Sequence, residues 1–139
     1  QLRMSKTTAE TEPVRIHGLL ADWGEGTSNA SGGQDTNAST GDATWIHRML
    51  DTSTWSTEGG DFSSDPSATT EVANIGYYTW GSTSEMVADV QCWVDSPAMN
   101  FGWIVIGNES IPHTTKRFDS RETSGAANRP LLTITFTPP

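Results

Sequence analysis

Residues 79–108, TWGSTSEMVADVQCWVDSPAMNFGWIVIGN, set one short helix directly before one wholly apolar strand, and the fold turns on that sequence of elements. Ser82 and Glu85 stand three apart in a capping-box pattern, in which a hydroxyl and a carboxylate satisfy the backbone N–H groups that a helix start leaves without partners. Met86, Val87, Val90, Trp93 and Val94 then recur at helical spacing along one stripe. Asp95-Ser96-Pro97 stops the run, because a proline ring pushes the residue before it out of helical geometry. The pattern predicts one short helix over 83–94, its apolar face plugging an open end of a β-sandwich. Phe101-Gly102-Trp103-Ile104-Val105-Ile106 has no polar alternation, as expected of a central strand covered on both faces.

Downstream, KRFDSRE at 116–122 reads as a strand edge whose alternating charges pair locally. Leu131–Thr137 then alternates, with Leu132, Ile134 and Phe136 predicted to face inward and Thr133, Thr135 and Thr137 outward. That is the pattern of an antiparallel strand with one face in water. Upstream, residues 2–7 and 14–20 read as strands joined by a polar connection at 8–13. Val14, Ile16, Gly18 and Leu20 share one face of the second. Residues 44–50, 71–75 and 77–80 supply further β segments. Between them, 22–41 is a long polar loop, of a kind that is usually functional, metal-ordered or mobile. The expected fold is all-β: a single antiparallel, jelly-roll-like β-sandwich domain over 1–139 with one short α-helix.

Composition agrees with that class. A chain of 139 residues can bury a sizeable core in one domain. A hydrophobic content of 34% with 13 Gly suits strands joined by polar loops better than a helical bundle. Seventeen acidic residues against 8 basic ones leave a formal charge of −9 and no Lys/Arg cluster, which argues against nucleic acid and anionic membrane surfaces as partners. No apolar run approaches transmembrane length, so membrane insertion is not expected. Cys92 stands alone, which precludes an intrachain disulfide; among Val90, Trp93 and Val94 it reads as a small buried apolar residue. With Gln1 in first place and strand-like alternation from Leu2 onward, the chain reads as entered mid-domain, a processed or excised piece of something longer.

Six short motifs recur in a telling order: Asp22-Trp23-Gly24-Glu25; Gly41-Asp42-Ala43-Thr44-Trp45; Met86-Val87-Ala88-Asp89-Val90 on to Trp93; Asn100-Phe101-Gly102-Trp103; Arg117-Phe118-Asp119-Ser120-Arg121-Glu122; and Arg129-Pro130-Leu131. Taken together they resemble the DNRLRE (disaggregatase-related) domain of secreted and cell-surface prokaryotic proteins, itself similar to jelly-roll carbohydrate-binding modules. The likeness runs from Gln1 to Thr137, as the C-terminal two-thirds or more of such a domain. The resemblance implies an extracellular or cell-surface location. It also implies that early strands of the family domain are absent here, which would leave a sandwich with unpaired edge groups and an open interior. The expected remedy is either that the missing strands were removed and remain associated, or that a protein partner or another copy of the same protein donates them.

Candidate chemistry is sparse. Asp22, Glu25, Asp35 and Asp42 flank or lie within the polar loop, with Asn29 and Asn37 adding carbonyl oxygens; calcium takes six to eight oxygens in irregular geometry and could close such a loop. The alternative is a merely solvated loop, and no EF-hand spacing is present. Six Trp and two Tyr invite sugar stacking. Trp93 and Trp103 fall in apolar patterns and read as core, and Trp23 and Trp45 read as anchors at the ends of the loop. Trp55, Tyr77, Tyr78 and Trp80 are then the candidates for a carbohydrate platform. His17, His47 and His113 are isolated, without metal-ligand spacing. No nucleophile elbow, phosphate-cradling glycine loop or pair of placed carboxylates stands out. Asn29-Ala30-Ser31, Asn37-Ala38-Ser39 and Asn108-Glu109-Ser110 are glycosylation sequons of the sort that arise by chance in a Ser-rich chain. The sequence therefore points to a non-catalytic structural or adhesive module of a cell-surface or extracellular assembly, filamentous in one form of the idea. The alternative is a carbohydrate-binding module that recognises a polysaccharide through surface aromatics, with calcium as a stabiliser.

Overall fold

The computed structural model describes residues 1–7, 10–29 and 36–138, with side chains from 1 to 5 in the first segment. Along them run β1 (Leu2–Thr7), β2 (Glu12–Gly18), β3 (His47–Met49), β4 (Ser53–Thr54), β5 (Ala68–Val72), β6 (Gly76–Tyr78), α1 (Ser84–Asp95), β7 (Trp103–Ile106) and β8 (Lys116–Phe118). The pairings with a resolved register are antiparallel. One sheet has the order β6-β1-β8, a second β5-β2-β7, and β3 with β4 forms a hairpin. The chain is thus a small all-β fold with one short helix, as its alternating patterns predict.

The chain divides into two compact units. Residues 1–16, 68–83 and 105–139 form the first, and 17–67 with 84–104 the second. In the first unit Met4, Val14, Ile16, Ala68, Val72 and Trp80 are the buried apolar side chains. Val14 and Ile16 point inward at alternate positions of β2, and Val72 and Ala68 answer them at the two ends of β5, where Glu12 pairs with Val72 and Ile16 with Ala68. Trp80 closes this core: only 6% exposed, it donates its indole N–H to the Val14 carbonyl at 2.9 Å and meets Phe118 edge-on at 5.9 Å. Arg3 on β1 holds Asp119, just beyond β8, at 2.8 Å. The charged 116–122 segment therefore has its main ion pair across strands and not along itself.

In the second unit Leu19 and His17 are buried. The His17 and Phe62 rings meet edge to face with centroids 5.3 Å apart, and His17 Nδ1 lies 2.8 Å from the Ser63 carbonyl oxygen. Asp89 on α1 accepts hydrogen bonds from Ser67 Oγ and from the Trp103 indole, each at 2.6 Å, so the helix is fastened by a carboxylate.

Several local expectations need correction. The helix begins at Ser84, which leaves Ser82 outside it; Glu85 accepts from its neighbour Ser84 Oγ at 2.9 Å. No residue of α1 is buried, and Val87 and Val94 of its apolar stripe are exposed. Cys92 is exposed as well. Trp93 and Trp103 are half-buried and pack on each other at 4.4 Å. β7 lies at the end of its three-stranded sheet, and none of its four residues is fully buried. Finally, among the described residues no strand forms over 131–138, and Leu131, Leu132, Ile134 and Phe136 are all exposed.

Candidate functional site

The polar loop is organised by one carboxylate. Asp42, 5% exposed, accepts from the backbone N–H of Thr27 at 2.8 Å, of Ser28 at 3.5 Å and of Ser39 at 2.6 Å. The Ser28 hydroxyl, followed by the Ser39 and Thr27 amides, holds its carboxyl down to about 2, since each of these donors favours the charged form. Gly26 makes this approach feasible: at φ +64° it sits so close that a Cβ there would fall 1.5 Å from Asp42 Oδ1. The carboxylate ties the two described arms of the loop together with protein donors.

The other proposed oxygen ligands are placed differently. Asp22 is exposed and caps the Trp23 amide at 3.0 Å, while its carbonyl accepts from Arg48. Glu25 is exposed. Asp35 lies outside the described residues. Among the described residues, no three His, Cys, Asp or Glu side chains gather as a metal would require.

Of the four proposed aromatic residues, the three in the first unit do not share one open face. Trp80 is enclosed in the core and offers no face, because its indole N–H is needed to satisfy the Val14 carbonyl. Tyr77 and Tyr78 are successive on β6 and so point to opposite sides of the sheet. The Tyr77 ring is exposed beneath the Arg3 guanidinium, 6.0 Å away, and its hydroxyl bonds Asn128. The Tyr78 hydroxyl is held between the Asn74 carbonyl and the Ala73 amide. Trp55 belongs to the second unit, half-buried, with its indole donating to the Thr44 carbonyl at 2.9 Å.

The sequence predicts unpaired edge groups but not their place: the exposed apolar stripe of the first unit lies at 131–136, where a half-buried strand is expected. Gln1 and Leu131 exchange two backbone hydrogen bonds, 2.6 Å from the Gln1 amine to the Leu131 carbonyl and 3.0 Å in return. A reciprocal pair of this kind is one rung of an antiparallel ladder. Among the described residues the rungs end there. Beyond it Ile134 is 54% and Phe136 76% exposed, although their alternation with Thr is that of a half-buried strand. The signal was present as the alternation itself, but alternation shows which face should be covered and not whether anything covers it.

No protein-family model, curated protein or solved structure matches this chain. Among the described residues no helix is long and apolar enough to cross a membrane.

Proposed function

We propose that this chain is a non-catalytic structural or adhesive module of an extracellular or cell-surface assembly. It is a jelly-roll-like β-sandwich of the DNRLRE kind, completed by a strand supplied from outside these 139 residues. One observation carries the reading: Leu132, Ile134 and Phe136 are patterned to face a core, yet stand exposed with no strand beside them among the described residues. Unpaired edge N–H and C=O groups beside an apolar stripe are a template for β-augmentation, in which backbone hydrogen bonds give affinity and alternate side chains give register. The Gln1–Leu131 rung supplies a starting register, and a covering strand would continue that ladder along 132–137. The motif order from Asp22 to Leu131 supports the family resemblance, and an acidic, Lys/Arg-poor surface suits a secreted module.

Sedimentation over a rising concentration series tests it, with the wild type beside a variant carrying Ile134→Thr and Phe136→Ser. The wild type should associate reversibly and the variant should remain monomeric. A wild type that stays monomeric throughout, with the 132–137 amides already protected, would overturn the reading.

A further inference from the structure

Five of the six Trp rings are engaged by their surroundings. The indole N–H groups of Trp23, Trp55, Trp80 and Trp103 donate to the Phe101, Thr44 and Val14 carbonyls and to Asp89. Trp93 packs on Trp103. Trp45 differs in its exposure and in its indole N–H. It is 60% exposed, and its indole N–H has no hydrogen-bond partner among the described residues.

Exposed as it is, the ring is not loose. Its six-membered edge rests on Gly59, where a Cβ would come within 2.8 Å of Cη2 and 3.1 Å of Cζ2 and Cζ3. Gly59 has φ +94°, a conformation that side-chain-bearing residues rarely adopt, so backbone and ring fit require the same residue. The seat is tied from both sides. Gly59 N–H donates to the Trp45 carbonyl at 2.7 Å, and Trp55 N–H to the Ile46 carbonyl at 3.0 Å. Asp61 accepts from the Ser56 and Thr57 amides, which fixes the turn that carries Gly59. Thr44 Oγ1 accepts from the His47 amide at 2.9 Å, which fixes the turn that carries Trp45.

A rigid indole with one part laid on glycine and an N–H without a partner among the described residues is a stacking platform. Because its position is already set, a ligand that lies on it orders little. The ring face is apolar, and its rim can donate one hydrogen bond. Exposed Glu58, next to the glycine seat, adds an acceptor. A pyranose with all-equatorial hydroxyls matches this chemistry, since its C–H face stacks while its edge hydroxyls accept from the indole and donate to the carboxylate. The formal charge of −9 repels polyanionic glycans and leaves neutral ones. We propose that Trp45, seated on Gly59, is a binding subsite for a neutral, β-linked, equatorially substituted glycan. The subsite lies within the second unit and does not depend on strand completion in the first.

Titration of the ¹⁵N-labelled chain with cellohexaose and with chitohexaose, followed at the indole N–H resonances, tests this. The Trp45 resonance should shift saturably with at least one of the two sugars. Trp45→Ala should weaken binding by about tenfold or more, and Trp45→Tyr should keep part of it. Gly59→Ala, which keeps the indole but pushes it off its seat, should also weaken it. Trp45 is exposed, so none of the Trp45 variants threatens the core. No saturable shift with either sugar, or equal affinity in Trp45→Ala, would overturn the proposal.

Discussion

A single buried acid ties together the described arms of the polar loop. Asp42 is charged in the folded chain because the Ser28 hydroxyl and the Ser39 and Thr27 amides solvate it, and its carboxyl titrates near 2 against an ordinary 3.8. The sign follows from linkage: a depressed acid stabilises above its unfolded value and loses that contribution as pH falls through the folded one. Protection of the Thr27 and Ser39 amides, relative to the unfolded chain at the same pH, should therefore hold above about pH 4 and fall between about pH 4 and pH 2. Asp42→Asn should lose this protection at neutral pH as well. Trp80 gives a second test at this scale. Trp80→Ala should lower stability by about 3–5 kcal/mol, the usual cost of removing a buried aromatic. Trp80→Phe should cost about 1–3 kcal/mol, because it leaves the Val14 carbonyl without its donor. Chemical denaturation measures both. Neither role was legible in the sequence. A Gly-Asp step at the end of a Ser-rich stretch does not reveal a carboxylate turned inward, and Tyr77-Tyr78-Thr79-Trp80 does not reveal which ring crosses to the next sheet.

At the scale of elements, periodicity was read well and environment was not. The spacing of Met86, Val87, Val90, Trp93 and Val94 located α1 to within a residue, since the α-helix depends on local hydrogen bonds and on the Pro97 stop. The same spacing predicted a buried face, and α1 has no buried residue, because burial depends on a neighbour that a helical period cannot specify. What holds α1 is polar: Asp89 gathers Ser67 Oγ and the Trp103 indole. Asp89→Ala should lower stability by about 1–3 kcal/mol, with both donors losing an acceptor in a part-buried place. Asp89→Asn should cost less, since its carbonyl oxygen still accepts. The two strands with clean alternation and a close partner, β1 and β2, were legible at once. The 131–137 run has the same alternation, and among the described residues it forms no strand. Long-range pairing is the part of a β fold that no window of sequence contains.

For the whole molecule, the first unit exposes an apolar stripe at 131–136, and the function proposed above has an incoming strand cover it. Its buried core of Met4, Val14, Ile16, Ala68, Val72 and Trp80 is small, and Phe136 and Ile134 add nothing to it while they face water. Burying an aliphatic or aromatic side chain is worth about 1.5–3 kcal/mol, so covering three such residues would be a large fraction of a typical domain's net stability. The isolated chain should accordingly be less stable than its assembled form, and its stability should rise with concentration if copies supply the strand to one another. The most direct measurement is backbone hydrogen exchange at residues 132–137, followed from dilute monomer into the assembled state. The account predicts fast exchange across this segment in the monomer and marked slowing on assembly, with alternate amides protected first as the ladder from Leu131 extends. Slow exchange throughout 132–137 in a dilute, demonstrably monomeric sample would contradict it.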